Sequence, residues 1–527
     1  MARAQPTAQD RMSTETIYLA EQVAAIDAAG ATVTLRSTDG RGFNTRPADA
    51  PANAHFVPRI QRVGRFTRSV FGLGSSFGAG QIGFGDFALN NQGGDLDAWL
   101  DYSFDGRSFK LWRGPQDAIF PSGFTSLISG THESAEFTTA EVRFALRDRM
   151  ATIATPHCQS IYAGDNALPD GLEGVAGDLG GKRKPKLYGV AENVPPPMVN
   201  TSKLIYQLSD GAIKTVSAAY DRGSALTKGA NYTDVTDMTT NAPAAGNYRE
   251  LPGSGYFRLG SSPTGMLTCD ATEGANAADR TLAQVFKRIL LDRGVAAGDI
   301  SAADLTQLDT DTGSAECGIW IYGDDTTMDA LDRILPCGGA WCGQDRGYLW
   351  RVKQLKAPSA SPAVWLDLPS ELGLELQRTE DPAGGLPAWR ITIGYERNWS
   401  PQAADLAGGV TDARRAFLKE EWRASVAADA TVKNQYLSAQ DLRFDTLLVS
   451  SAAAATEATR QLALRKVRRR LVERRVPMDA AGAAAIDIGA EVGVKSDRFW
   501  GAAGKVFVVL ACADDYERDE IVLTLWG

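Results

Sequence analysis

Over most of its length the chain alternates apolar and polar residues with the two-residue period of a half-buried strand. Glu15–Ala20 (ETIYLA) and Ala31–Ser37 (ATVTLRS) read as the first two strands, both carrying β-branched residues. Phe109 and Leu111, with Arg107, Lys110 and Trp112, predict another strand after the Asp105-Gly106 turn. Glu136–Arg147 alternates through Val142, Phe144 and Leu146. Further on, Lys203–Leu208 and Val216–Tyr220 each run into a turn containing Asp and Gly. Gly255–Gly260 and Gly265–Asp270 predict a hairpin turning at Ser261–Thr264. The period then lengthens. Between Asp279 and Asp292, Leu282, Val285, Phe286, Ile289 and Leu290 fall on one helical face, with Gly294 as the stop. A second helix is predicted from about Thr326 to Leu335, with Met328, Leu331, Ile334 and Leu335 on its apolar face and Pro336 at its end. Strands are expected at Cys317–Tyr322 and Gly347–Val352. Strand periodicity resumes at Val364–Leu368 and Arg390–Tyr395, followed by a short helix at Asp412–Trp422. The longest predicted helix is Ala452–Arg475, with Ala455, Leu462, Val467 and Leu471 among its apolar positions. Val492–Val494, Lys505–Cys512 and Glu520–Trp526 predict a closing antiparallel set.

Gly180–Asn200 interrupts this pattern. It concentrates Lys182, Arg183 and Lys184 ahead of Pro185, and ends in Pro195-Pro196-Pro197, which resists helix and favours a stiff extended path. It reads as a rigid, basic connector holding a short apolar piece of strand type at Lys186–Val190. The chain of 527 residues divides into a β-rich domain at 1–165, the connector at 166–200, a β-rich segment at 201–270, a small α/β domain at 271–357 and a C-terminal domain with a basic helix at 358–527. The expected class is mainly β with an α/β insert, α+β and multidomain.

Composition narrows the function. The net charge is −9, and no run approaches the roughly 18 apolar residues of a membrane span. Met1–Pro6 is polar and lacks an apolar signal core, so folding in a cytosol is expected. The six cysteines are scattered, only Cys337 and Cys342 lying close in sequence, and are expected as reduced, buried thiols. Histidines are scarce (His55, His132 and His157), which weighs against hydrolases and metalloenzymes.

Each local motif has a plainer reading. Gly78–Gly83 matches GxGxxG, but FGDFALNN follows it as strand and turn, whereas a dinucleotide fingerprint must open a helix. Cys337 and Cys342 lack the second pair of a zinc site. Asp309, Asp311, Gly313 and Glu316 resemble a calcium loop, but Gly and Glu stand at the fifth and eighth positions instead of the sixth and twelfth, so a polar loop is expected. Arg460–Arg475 holds eight cations against Glu473 without interleaved aromatics, the pattern of a solvated or subunit-facing helix surface. Trp99, Trp112, Trp341, Trp350, Trp365 and Trp389 could stack sugars or fill cores. No catalytic, cofactor-binding or metal-binding residue is assigned, and the protein is not expected to be an enzyme.

The order of several segments resembles one family. Gly83–Gly114, with Asn91, Gly94, Leu96-Asp97 and Asp105-Gly106-Arg107, is similar to the N-terminal part of tail-tip, or baseplate hub, proteins of long-tailed, siphovirus-type bacteriophages and of gene transfer agents. Gly181-Lys182 through Tyr188-Gly189 and Asn193-Val194-Pro195 resembles their GK-x-P-x-x-(Y/F)-G-x-x-x-N-V segment. Tyr206–Gly211 resembles the strand that follows. Gly255–Asp270, with Arg258-Leu259, Pro263-Thr264-Gly265 and Asp270, resembles a further element, and Val522–Gly527 suits the last strand of a hub module. The resemblance implies a structural virion protein at the tail tip, a homotrimer with two tube-like β-barrel domains per subunit. Its implied partners are further copies of itself, distal tail and tail tube proteins, the tape measure protein, other baseplate proteins and a central fibre, without specific nucleic-acid binding. Host attachment and DNA ejection are the implied roles. A carbohydrate-binding or carbohydrate-degrading tail protein and a six-fold distal tail ring are the alternatives.

Overall fold

The computed structural model describes residues 15–527 except 73–76, 82, 167–170, 360, 363, 368–373, 378–384, 479–485, 497 and 501–502. With 40% of the described residues in strands and 17% in helices, the fold is mostly β, divided among several sheets.

At the centre lies the strand Lys186–Val194. It pairs antiparallel with Leu267–Thr272 on one side and with Gly318–Ile321 on the other. Thr215–Asp221 and Ser224–Ala225 complete this five-stranded sheet. The piece of strand type expected at Lys186–Val190 within the connector is therefore part of a core strand, Lys186–Val194. Both of its faces are covered: Leu187, Ala191 and Val194 point into one core and Tyr188 into another. Its basic head is neutralised locally, Arg183 by Asp324 at 2.8 Å and Lys184 by Glu173 at 2.7 Å. Pro195–Pro197 then carries the chain into Met198–Asn200, the first strand of a second five-stranded sheet.

The two sheets sandwich Tyr206, Tyr248, Phe257, Leu259 and Trp320, with the Tyr206 and Phe257 rings stacked 5.5 Å apart. Burying each such side chain contributes about 1.5–3 kcal/mol. The expected hairpin at 255–270 does not form. Tyr256–Leu259 belongs to the second sheet and Leu267–Thr272 to the first, so Gly260–Met266 crosses between layers. The Asp221 carboxylate holds that crossing by accepting from the backbone N–H of Thr264 (2.7 Å) and Gly265 (3.0 Å).

Helices Leu282–Asp292 and Thr327–Ile334 cover the other face of the first sheet. The five apolar residues that predicted the former are all buried against Tyr188, Ile319 and Ile321. Gly294 follows at φ +79°, which favours glycine. Thr326 and Asp329 form a reciprocal capping box at the start of the latter. A third helix, Ala302–Asp311, capped by Ser301, occupies a stretch whose end was expected to be a polar loop. Its buried Leu305 and Leu308 lie one turn apart, a pattern masked by the polar residues around them.

A 16-stranded sheet links the two ends of the described chain. Thr16–Ala25, Ser108–Pro115, Thr125–Phe137, Glu141–Arg147 and Phe84–Asn90 form one part, around Phe66, Phe87, Phe109 and Phe144. Leu471–Pro477, Glu520–Trp526 and Lys505–Asp515 belong to the other, and Arg65–Ser69 joins them by pairing with Lys505–Asp515. Tube-like barrels are not seen: among the described residues no barrel closes, because the end strands Leu374–Gln377 and Phe43–Asn44 share no hydrogen bonds. The sheet curls enough to bring side chains together across the gap. The Tyr18 ring meets Tyr516 at 6.0 Å, and Arg113 reaches Asp519 at 2.7 Å.

The expected basic helix is also corrected. Helix Ser451–Arg465 ends well before Arg475, and Leu471–Pro477 is a strand between Leu374–Gln377 and Glu520–Trp526. Ala455 and Val467, assigned to the apolar face, are exposed. Pro477 cannot donate within a helix, and mutual hydrogen bonds between Arg470 and Gly527 start the pairing that buries Leu471, Val472 and Val476. The true helix lays Ala454, Ala458 and Leu462 on Ile391 and Ile393 of a three-stranded sheet. In that sheet Ala388–Tyr395 is flanked by Arg423–Ala428 and Gln440–Asp445, whose outer edges have no strand partner among the described residues.

Candidate assembly site

Three of the segments that carried the family resemblance come together in the central sandwich, while Gly83–Gly114 and Val522–Gly527 contribute to the 16-stranded sheet. Gly181–Val194, Tyr206–Gly211 and Gly255–Asp270 contribute four of its strands and the crossing between its layers. Two polar clusters tie this unit to its surroundings.

The first runs through Tyr188. Its hydroxyl donates to Asp292 Oδ2 at 2.6 Å, and Lys186 Nζ reaches the same oxygen at 2.9 Å. The Tyr188 oxygen then accepts from His157 Nε2 at 2.8 Å, and His157 Nδ1 accepts from the Thr327 hydroxyl at 3.1 Å. Burial lowers the His157 pKa to about 4, so the ring is neutral. Burial also drives the Tyr188 hydroxyl well up. For Asp292, hydrogen bonds from Tyr188 and Lys186 outweigh burial and hold the carboxyl below its ordinary range. The array could be read as a proton relay. However, His157 and Tyr188 are each only 3% exposed, and what the array joins is a strand, the end of one helix and the start of another.

The second cluster surrounds Asn193, whose φ of +56° turns its amide out of the strand. Its N–H donates to Asp270 Oδ1 at 2.8 Å, and Asp270 Oδ2 accepts from the Tyr220 hydroxyl at 2.7 Å. Asn193 Nδ2 donates to Asn398 Oδ1 at 2.7 Å and to the Ser400 carbonyl at 2.6 Å, while its Oδ1 accepts from Arg414 at 3.0 Å. Asn193 and Asp270, both resemblance positions, thus anchor residues 396–422. This strap leaves the three-stranded sheet after Ala388–Tyr395 and returns at Arg423–Ala428. Its helix Asp412–Lys419 is capped by Thr411. Arg414 stacks on Tyr220 at 3.8 Å, Arg222 pairs with Asp405 at 2.6 Å, and a Cβ added at Gly223 would lie 2.6 Å from Leu418. Sequence reasoning read the strap's helix, at Asp412–Trp422, but missed its docking on the sandwich, for which the signal was two polar residues, Asn193 and Asp270, kept inside strand-like stretches.

The other singled-out residues do not converge. Cys337 has Cys317, not Cys342, as its thiol neighbour, and its Sγ accepts from Leu447 N at 3.2 Å. All six thiols are free and buried. Asp309 and Asp311 close a helix, while Glu316 pairs with Arg280 at 2.5 Å. Among the described residues no group of three or more His, Cys, Asp or Glu is placed to hold a metal. Gly78-Ala79 is a short strand beside Ala340–Gln344, and strand Phe84–Asn90 follows it, not a helix. Arg460 is held by Glu457, and Arg469 lies 4.9 Å over Trp526, so the cations of 460–475 do not form one face. Trp341 and Trp350 are core residues, Trp365 is 41% exposed, and Trp389 sits under Lys433 at 3.5 Å. The six tryptophans form no common platform. No described helix is long and apolar enough to cross a membrane.

No family model and no curated protein matches the sequence. Among solved structures, the chain is similar to the 43 kDa tail protein of prophage MuSo2 from Shewanella oneidensis, at 11% identity and TM-score 0.40, over 97% of this chain and 98% of that one. It is similar to the tail protein from Neisseria meningitidis MC58 at 10% identity and TM-score 0.38, over 97% and 96% of the two chains. The chain is also similar, over 66% of its length and 84% of the other, to a chain of the virion of a native gene transfer agent particle, at 15% identity and TM-score 0.41.

Proposed function

We propose that this chain is a structural hub at the tip of a phage-type tail. It joins the tail tube to the baseplate and central fibre, and takes part in host attachment and DNA ejection. The observation that supports this most is the convergence of three of the ordered resemblance segments. Stretches from 181 to 270 meet in one sandwich, and Asn193 and Asp270 become the anchor of a strap from residues 396–422. A part of this kind works through shaped surfaces and needs no reacting side chain. The outer edges of Arg423–Ala428 and Gln440–Asp445 suit a ring of copies, in which each copy adds strands to the next. On this reading the protein is a homotrimer whose partners are distal tail and tube proteins and the tape measure protein. The test is native mass measurement of the purified protein together with antibody labelling of particles. A three-fold assembly and labelled tail tips are expected. A six-fold ring would favour a distal tail ring instead, and a monomer that labels no particle would overturn the proposal.

A further inference from the structure

We propose that residues 396–422 are a pH-gated clasp, closed while Glu192 is protonated and loosened when it ionises. Glu192 sits where the strap lands. Its carbonyl accepts from Trp399 N at 3.2 Å, and the neighbouring Asn193 takes Asn398, Ser400 and Arg414. The Glu192 carboxyl is half-buried and has no ion pair or hydrogen bond among the described residues. Glu192 lines a small cleft with Glu396, Arg397 and Trp399 of the strap, Arg397 being paired with Glu421 at 3.0 Å. It couples electrostatically to Asp270 of strand Leu267–Thr272, Glu396, Arg414 of the strap helix, Arg423 of strand Arg423–Ala428 and Tyr220 of strand Thr215–Asp221. The arginines are committed elsewhere. Arg414 donates to Asn193, and Arg423 donates to the carbonyls of Phe417 and Glu420, while its distance to Glu396 is 3.9 Å.

An ionised Glu192 adds a third carboxylate to Asp270 and Glu396 in a place sheltered from water. Lifting the strap rehydrates it. Burial first, then Asp270 and Glu396, push the Glu192 pKa up to about 7 against Arg414 and Arg423. The sign follows from linkage. A carboxyl whose pKa is raised in the closed state favours closure below its ordinary range, and that advantage is lost as pH rises to about 7.

Hydrogen exchange of the strap amides tests this, with helix Leu282–Asp292 as an internal reference. After correction for intrinsic rates, protection at Trp399 and Ala407 falls about tenfold from pH 5 to pH 8, the effect being reduced by partial solvent exposure. In Glu192→Gln the strap is equally protected at both values. Glu396→Gln keeps the transition but moves its midpoint to lower pH, and so tests the idea even if Glu192→Gln misfolds. An unchanged wild-type strap, an equal fall in Glu192→Gln, or an unmoved midpoint in Glu396→Gln would overturn the proposal.

Discussion

Gly189 shows how tightly single positions are specified. It sits in the central strand at φ +70°, a conformation open to glycine and strained for other residues. A Cβ there would lie 2.0 Å from the Cys317 carbonyl oxygen, just before the strand Gly318–Ile321 that Gly189 pairs with. Strain and clash act together, so Gly189→Ala is expected to destabilise the protein by on the order of 3 kcal/mol. Chemical denaturation checks this, and a loss under 1 kcal/mol would show that the strand slides to make room. The basic residues near it were misleading in sequence. Lys184 looks like a solvated charge of a connector, yet its ammonium lies 2.7 Å from Glu173, and that of Lys186, on the strand after it, lies 2.9 Å from Asp292. Asp292 is more than a hundred residues away in sequence, beyond the reach of local patterning.

At the level of elements, Thr326 offers a clean test. Its hydroxyl accepts from Asp329 N at 3.0 Å, and the Asp329 carboxylate returns the bond to Thr326 N at 2.8 Å. Thr326→Ala should lower the melting temperature by an amount equivalent to about 1 kcal/mol, and Thr326→Ser should restore most of it. Such elements were legible in advance because their signals are local. Leu282–Asp292 and Thr327–Ile334 carry a helical stripe between a cap and a stop, and Glu141–Arg147 alternates as a strand with one buried face. What failed was local sequence overridden by tertiary pairing. Leu471–Pro477 follows a run of good helix formers, and pairing with Leu374–Gln377 and Glu520–Trp526 makes it a strand. The two strands of 255–270 look like a hairpin, since alternation is blind to which of two stacked sheets each joins. The central-sandwich residues of the candidate site could be read in order, but their meeting with the strap could not.

Across the whole molecule, the join between the two ends of the large sheet is charged and buried. The Arg68 side chain is 3% exposed and Asp514 1%, with Nη2 and Oδ2 2.9 Å apart; Arg346 binds the other Asp514 oxygen at 3.1 Å. Arg68→Ala leaves Asp514 with Arg346 and the Tyr516 hydroxyl and should cost about 3–5 kcal/mol, read as an early loss of the thermal transition. Removing Arg68 and Asp514 together should cost less than the sum of the single changes, and strict additivity would refute the coupling. The same join has a consequence for biosynthesis. Arg68 and Asp514 are 446 positions apart, so Arg65–Ser69 leaves the ribosome long before its partner strand is translated. At roughly 5–20 residues per second, the nascent segment waits on the order of half a minute with an open edge. Arg65 and Arg68, flanking Phe66, are the kind of charges that keep such an edge from recruiting a neighbouring polypeptide in the interval.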